Sequence, residues 1–438
     1  MEAPPLKLLD LTLKSSGAII ASVMGEFTQQ SSSNTSSSKS KSKTEVAVIR
    51  PGGIVEVYSI DIKVKAGEEE DEDPTSAVAA EQQITMTMQC RVETRSVLRT
   101  LSVIRLTGNK RDVLAIGSDS GCLSVIDFAN SSKPQLLHCP TFGNTGCRRG
   151  TPGQYVAADP KGRAVMVAAI EKRKLVYVLN QDSTGKPTIA SPLEAHKTRT
   201  ITYGVVGVDN GYDNPIFAAL EVQYPEYVEQ DDTDIIREVQ GSSVTKGGGD
   251  TVRKKKMLWS ANDLDKQVAY YELDLGLNHV SRRWASTVHR SACAIAAIPG
   301  GADGPSGVLV AGEDFIEYVH ETLPNDRKVI CAVPRRNSHP TNRSTLITQI
   351  VVHRQKRNKF FALCQSDVGD VYKVDVELDA ESKEVVMTIT VYVMDTLPVA
   401  ISMNISKLGM LFVASEFGNH YLYQFERIDL QGVAVSYS

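Results

Sequence analysis

The sequence predicts an all-β chain folded as a single seven-bladed, WD40-like β-propeller. Three observations carry this. First, seven times the chain runs apolar, breaks at a short polar or glycine turn, and runs apolar again. Second, most turn centres lie roughly 50 residues apart, the period of propeller blades. Third, no long segment shows an apolar repeat of helical period. The chain has 438 residues, more than one ordinary core serves. A propeller escapes that limit because each blade adds its own slice of core.

The elements follow in order. LKLLDLTL (6–13) alternates well enough to be a strand. It either completes the last blade, pairing with the hairpin over 410–425, or belongs to the first blade. Closure in the former way hides sheet edges that otherwise invite aggregation. QQSSSNTSSSKSKSK (29–43) is too polar to bury and reads as a disordered linker. VAVIRPGGIVEVYSI (46–60) is the first hairpin, and the acidic GEEEDEDP that follows gives a second disordered insertion near 65–75. VLAIGSDSGCLSVIDF (113–128) is the second hairpin; Gly121 supplies the positive φ that its tight turn needs. AVMVAAIEKRKLVYVL (164–179) is the third. The fourth is split into IFAALEVQY (216–224) and QVAYYELDL (267–275) by a long polar insertion over 225–256. VLVAGEDFIEYVH (308–320), FFALCQSDVGDVYKVDVEL (360–378) and MLFVASEFGNHYLYQF (410–425) complete the set. One hairpin alone is barely stable in water; stacked against neighbours, each buries both faces. The propeller is thus expected over 6–425, with 426–438 as a tail.

Composition narrows the function classes. The formal net charge of −4 gives no global basic field, which argues against a generic nucleic-acid binder. Aromatic content is only 6%, so a single-strand stacking platform is not expected. The cysteines are odd in number and form no CxxC, so reduced and mostly buried thiols are expected in an intracellular chain. The amino terminus lacks the basic and long apolar regions of a signal peptide, and no run approaches the ~18 apolar residues of a membrane span. No membrane association, cofactor or small-molecule substrate is expected.

No motif supports catalysis. GSDSG (117–121) places Asp119, not a serine, where a nucleophile elbow needs its nucleophile. PGGADGPSG (299–307) lacks the GK[ST] ending of a phosphate loop. The histidines show no zinc spacing. VRKKK (252–256) reads as a nuclear-import signal or a solvated charge run. Basic clusters at Arg148-Arg149, Lys172-Arg173-Lys174, Arg282-Arg283 and Arg335-Arg336 are able to meet phosphates or acidic protein surfaces. They motivate an alternative function, direct nucleic-acid binding.

Several stretches go beyond a generic propeller: TFGNTGCRRGTPGQYVAADPKGRAVMVAAIEKRKLVYVLN (141–180), ASPLEAHK (190–197), YYELDLGLNH (270–279), PGGADGPSGVLV (299–310), DTLPVAISM (395–403) and ASEFGNHYLYQF (414–425). In this order they closely resemble the splicing factor 3b subunit 3 family, the large propeller subunits of the U2 small nuclear ribonucleoprotein. That family is related to the large subunit of the cleavage and polyadenylation specificity factor and to the large damaged-DNA-binding protein. The resemblance implies three seven-bladed propellers and a small helical end domain, of which this chain matches the first propeller. It implies a nuclear, non-enzymatic scaffold that supports recognition of the intron branch site in pre-mRNA. In that family the first and third propellers form a clamp. The clamp holds the smallest splicing factor 3b subunit and braces the helical-repeat largest subunit. The resemblance places contacts to the smallest subunit at Ser344, Asp367 and Glu416. It turns three segments toward the helical-repeat subunit and the small zinc-containing subunit: Thr141–Gln154 with Arg148 and Arg149, Asn180–Tyr203 with Glu194 and His196, and Tyr271–Asn278. The end, ERIDLQGVAVSYS (426–438), departs from the family pattern, and a complete clamp is not expected from this chain alone.

Overall fold

The computed structural model describes residues 17–28, 44–64, 82–94, 96–139, 149–181, 187–195, 199–224, 264–324, 327–336, 343–355, 359–379, 385–425 and 434–435. The strand expected at 6–13, the three insertions, Arg148, His196 and most of 426–438 lie outside them.

Seven antiparallel sheets follow one another along the chain, spanning 21–93, 98–138, 155–194, 200–288, 294–332, 347–396 and 400–424. In each, the strands pair in sequence order from an inner strand at the ring axis outward, except that in the third sheet Pro187–Ile189 and Leu193–Glu194 both pair with Lys174–Gln181. The inner strands are Ala21–Gly25, Leu98–Ile104, Tyr155–Ala158, Thr200–Val208, Ala294–Ala297, Ile347–Arg354 and Ala400–Ile405. Each packs beside the next, and the last packs beside the first, so the ring closes. The fold is therefore the all-β, seven-bladed propeller that the hairpin repeat predicts. Ala434–Val435 pairs with Val391 and Tyr392 as a fifth strand of the sixth sheet. Among the described residues the helical content is one 3₁₀ turn, Gly301–Asp303. None of their helices is long and apolar enough to cross a membrane.

The second strand of each blade shows why the apolar runs read as continuous. All six residues of Val113–Ser118 are buried. Side chains alternate across a strand, so neighbouring residues enter different interfaces. Leu114 and Ile116 join the cluster between blades one and two, whereas Val113 and Ala115 join the cluster between blades two and three. Phe361 and Leu363 likewise face blade seven, and Ala362 and Cys364 face blade five. The core consists of seven such clusters, one between each pair of neighbouring sheets. Each large side chain so buried contributes roughly 1.5–3 kcal/mol.

The closing interface has the same construction as the others. Ile19, Val46, Val48 and Ile60 of blade one pack on Met410, Phe412 and Ala414 of blade seven. At the axis the Ser22 hydroxyl donates to the Ser402 hydroxyl at 2.8 Å, and the Asn404 amide donates to Ser22 Oγ at 2.7 Å. Lys407 Nζ meets Glu26 Oε1 at 3.0 Å outside them.

Polar side chains bolt other neighbours together. Asp112 accepts from the Glu26 amide at 2.8 Å and pairs with Arg105 at 2.7 Å, tying blade two to blade one. Arg163 pairs with Asp159 at 2.9 Å and donates to the carbonyls of Tyr212 and Asp213, at 3.0 and 2.6 Å, in blade four. The buried Gln365 accepts from the Ala400 amide at 2.8 Å and donates to the Pro398 carbonyl at 3.0 Å, fixing the path from blade six to blade seven. DPKGR (159–163) is thus a polar turn that sets blade geometry.

Gly121 adopts φ 73°, as its turn requires. Gly162 is more constrained: it has φ 71°, and a Cβ there would lie 1.9 Å from the Arg105 carbonyl oxygen of the neighbouring blade. The substitution Gly162→Ala is expected to destabilise the ring by about 1–3 kcal/mol, because both the backbone conformation and the blade contact must give. Urea denaturation of the two proteins checks this.

Candidate protein-docking rims

Strand parity divides the loops between two rims. One rim carries each second-to-third turn together with the crossing from an outer strand to the next blade's inner strand. These are held to each other: the Asp119 amide donates to Val97 at 3.0 Å, Asp314 to Thr345 at 2.8 Å, Asp367 to Leu346 at 2.8 Å and Glu416 to Val399 at 2.8 Å. The opposite rim carries the inner-to-second and third-to-outer turns.

On the crossover rim, Ser344, Asp367 and Glu416 span blades five to seven. Ser344 donates its hydroxyl to Glu313. Asp367 pairs with Arg343 at 3.2 Å. Beside them, Asp314 pairs with Arg335 at 2.9 Å and accepts from the Thr345 amide at 2.8 Å. Asp370 accepts from Thr396 Oγ1 at 2.7 Å and faces Arg336 Nε at 3.4 Å. The rim between blades five and six is therefore an ionic lattice of fixed geometry. Glu416 stands exposed at the tip of blade seven beside Phe417, itself 78% exposed. Around the ring on this same rim, Arg149 pairs with Glu171, whose other oxygen accepts from Tyr224 at 2.7 Å. Glu194 is exposed on a short outer strand, Leu193–Glu194, opposite Leu175.

Asn278 is on the opposite rim. It adopts φ 51° in the turn after Lys266–Asp274. Asp274 Oδ1 builds that turn by accepting from the amides of Gly276 and Leu277, at 2.8 and 2.9 Å. The turn holds Leu277 outward at 79% exposure, and Tyr212, in another turn of this rim, is 88% exposed. Between blades two, three and four lies a recess of about 280 Å³ lined in part by Leu106, Arg163, Val178 and Leu275. Sequence reasoning singled out neither the recess nor Tyr212; a tyrosine in the turn GYDN is the one hint.

Several of the basic clusters are engaged within the ring. Lys174 and Glu221, both fully buried, pair at 2.8 Å between blades three and four. Tyr271 donates to both Glu221 oxygens at 3.1 and 3.0 Å, and burial beside that carboxylate holds its hydroxyl far above the usual phenol range. Arg282 lies 3.6 Å from Glu221, and Arg283 pairs with Glu272 and Glu321 at 3.4 and 3.1 Å. Arg149, Arg335 and Arg336 are paired as well, so each of these arginines lies beside a carboxylate of its own or an adjoining blade. Lys172 and Arg173 remain exposed in their turn.

Titratable groups in the core are moved away from reactivity. Burial, with Arg283 nearby, pushes His320 down to about 4. Burial, with Glu45 adding to it, pushes Cys90 up to about 11. Among the described residues no group of three or more His, Cys, Asp or Glu side chains is placed to hold a metal.

Seven stacked sheets around an axis, with loops on two rims, define the class: a seven-bladed β-propeller. A family model described as the RSE1/DDB1/CPSF1 first beta-propeller matches residues 78–435. Spliceosome-associated protein 130 A of Arabidopsis thaliana is 47% identical over 339 residues, covering 77% of this chain and 25% of that protein. Splicing factor 3B subunit 3 is 41% identical over 336 residues in Danio rerio and 43% identical over 331 in Drosophila melanogaster. Those matches cover 76% and 75% of this chain, and 25% and 24% of those proteins. The chain belongs to the RSE1/DDB1/CPSF1 first-propeller family, and it spans about a quarter of the length of these relatives.

The buried pair gives a sharp expectation. Glu221→Gln leaves Lys174 charged and buried without its counter-ion, and should cost about 3–5 kcal/mol in urea denaturation. Lys174→Met combined with Glu221→Leu should cost far less, because the charge and its partner leave together.

Proposed function

We propose that this chain is a non-catalytic, nuclear protein scaffold of the splicing factor 3b type, supporting branch-site recognition by the U2 small nuclear ribonucleoprotein. One observation carries the reading: the relatives at 41–47% identity over about three quarters of the chain are named as spliceosome-associated proteins or splicing factor 3B subunits. Its partners are the smallest subunit, the helical-repeat largest subunit and the small zinc-containing subunit, with pre-mRNA engaged through them. Ser344, Asp367 and Glu416 meet the smallest subunit. Arg148, Arg149, Glu194, His196 and Asn278 meet the other two. The propeller unit is 6–425.

Physical features support this reading. The crossover rim holds its charges in fixed hydrogen-bonded positions, so a partner meets a preformed surface and loses little ordering entropy. Rim carboxylates chiefly set association rate and partner choice. The internal pairing of Arg149, Arg282, Arg283, Arg335 and Arg336 weighs against the alternative of direct nucleic-acid binding.

Co-expression of the chain with the smallest subunit tests the reading. The pair should co-purify, and Asp367→Lys with Glu416→Lys should weaken the complex by roughly tenfold or more through like-charge or lost-pair costs. Binding to the charge-reversed protein as strong as to the original would overturn those contacts. Tight RNA binding with a steep salt dependence, and no co-purification, would favour the nucleic-acid alternative.

A further inference from the structure

We infer that Cys122 and Cys139 form a site of reversible thiol oxidation, closing a disulfide across the two outer strands of blade two on the crossover rim. Cys122 stands in the second-to-third turn of that blade, just before Leu123–Asp127, and Cys139 directly follows the outer strand, Gln135–His138. Val125 pairs with His138, so the next pair toward the rim is Ser124 with Cys139, and Ser124 Oγ lies 3.7 Å from Cys139 Sγ. Side chains alternate along a strand, so Cys122 shares the face of Ser124, one diagonal step from Cys139. The two thiols hydrogen-bond to each other there.

The two halves of the site differ in freedom. The Cys122 side is held: Ser118 Oγ donates to the Cys122 carbonyl at 3.4 Å and shares a 2.7 Å hydrogen bond with Ser120 Oγ, while Arg99 Nε donates to Asp119 at 2.8 Å. Cys139 is exposed, at the end of a strand that is outermost in its sheet among the described residues. It is therefore the side that can shift to meet disulfide geometry, and the side that oxidants in solution reach first. The other described thiols are less available. Cys90, Cys331 and Cys364 are buried, and the exposed Cys293 donates from Sγ to the Ile347 carbonyl at 3.1 Å.

The step balances with a small disulfide of the glutathione class as oxidant. The Cys139 thiolate attacks one glutathione sulfur, the S–S bond of the oxidant breaks, and one glutathione thiolate leaves. Cys122 then gives its proton to water and attacks Cys139 Sγ, which forms the protein S–S bond and releases the second glutathione thiolate. The protein loses two hydrogens with two electrons, and the oxidant becomes two thiols. Burial holds the Cys122 thiol above its usual range, with a Ser120 hydrogen bond opposing this and the neighbouring Cys139 adding to it, so Cys122 suits the second attack and Cys139 the first. An exposed disulfide is readily reduced again, so the step reverses. Once closed, the bond fixes the start of the crossing that leads into Thr141–Gln154. Any effect on partner subunits rests on the function proposed above; the oxidation itself does not.

Oxidised glutathione added to the folded full chain tests this, with free thiols blocked before digestion and mass spectrometry. The peptides of Cys122 and Cys139 should be recovered joined, and reduced glutathione should separate them. Cys122→Ser should instead keep glutathione attached to Cys139. In the original chain the amides of Leu136–His138 should exchange roughly tenfold or more slowly after oxidation, and in Cys122→Ser they should not change. Two thiols that both stay free in the folded chain would overturn the inference. So would a Cys139 that reacts while Cys122 stays unlinked, or one that joins Cys147 or any other cysteine. A linked peptide without slower exchange would overturn the fixing of the strand.

Discussion

Each sheet of this protein is apolar on both faces, and that constraint governs everything else. A sheet buried on one face can end a structure; a sheet apolar on both must have neighbours on both sides. Only a closed ring gives every blade two neighbours. The contact of Ile19, Val46 and Val48 with Met410, Phe412 and Ala414 is therefore as necessary as the interfaces within the run of the chain. Without it, two apolar sheet faces would meet water at once. The hydroxyl contact of Ser22 with Ser402 lies at the same junction and joins residues from opposite ends of the ring.

Ring closure also explains the polar interior. Wedge-shaped spaces between sheets bring side chains from successive blades into contact, and charged groups there must find partners or be neutralised. Lys174 and Glu221 solve this together, Asp112 binds an amide and an arginine, and Gln365 spans two backbone segments. These contacts orient the rims, so surface chemistry is inherited from the interior. The fixed positions of Asp314, Asp367 and Asp370 on the crossover rim are the outer consequence of the same packing.

Much of the fold was legible because the blade period and the turn residues are local signals. The glycine at 121 needed only its own turn to be understood. The site was legible only in part. KRK over 172–174 looks like a solvated run, yet its third residue points inward, because residue 174 opens a strand whose alternation buries it. The partner of Lys174 sits in another blade, and no sequence spacing announces that. Glu194 and Asn278 belong to neighbouring blades but stand on opposite rims. Counting strands would have separated them, since each strand reverses the rim. Buried Gln365 and Asp112 carry no signal at all, because a polar residue near a strand end normally reads as solvent-facing.

The central claim is that blades one and seven meet directly. Replacing both Ser22 and Ser402 by cysteine tests it. The two hydroxyl oxygens are 2.8 Å apart, so the thiols should join under mild oxidation of the folded chain. Mass spectrometry should recover the 22–402 linked peptide, and the oxidised protein should resist urea better than the reduced one. Failure of these two cysteines to link in a protein that is otherwise folded would contradict the closed ring.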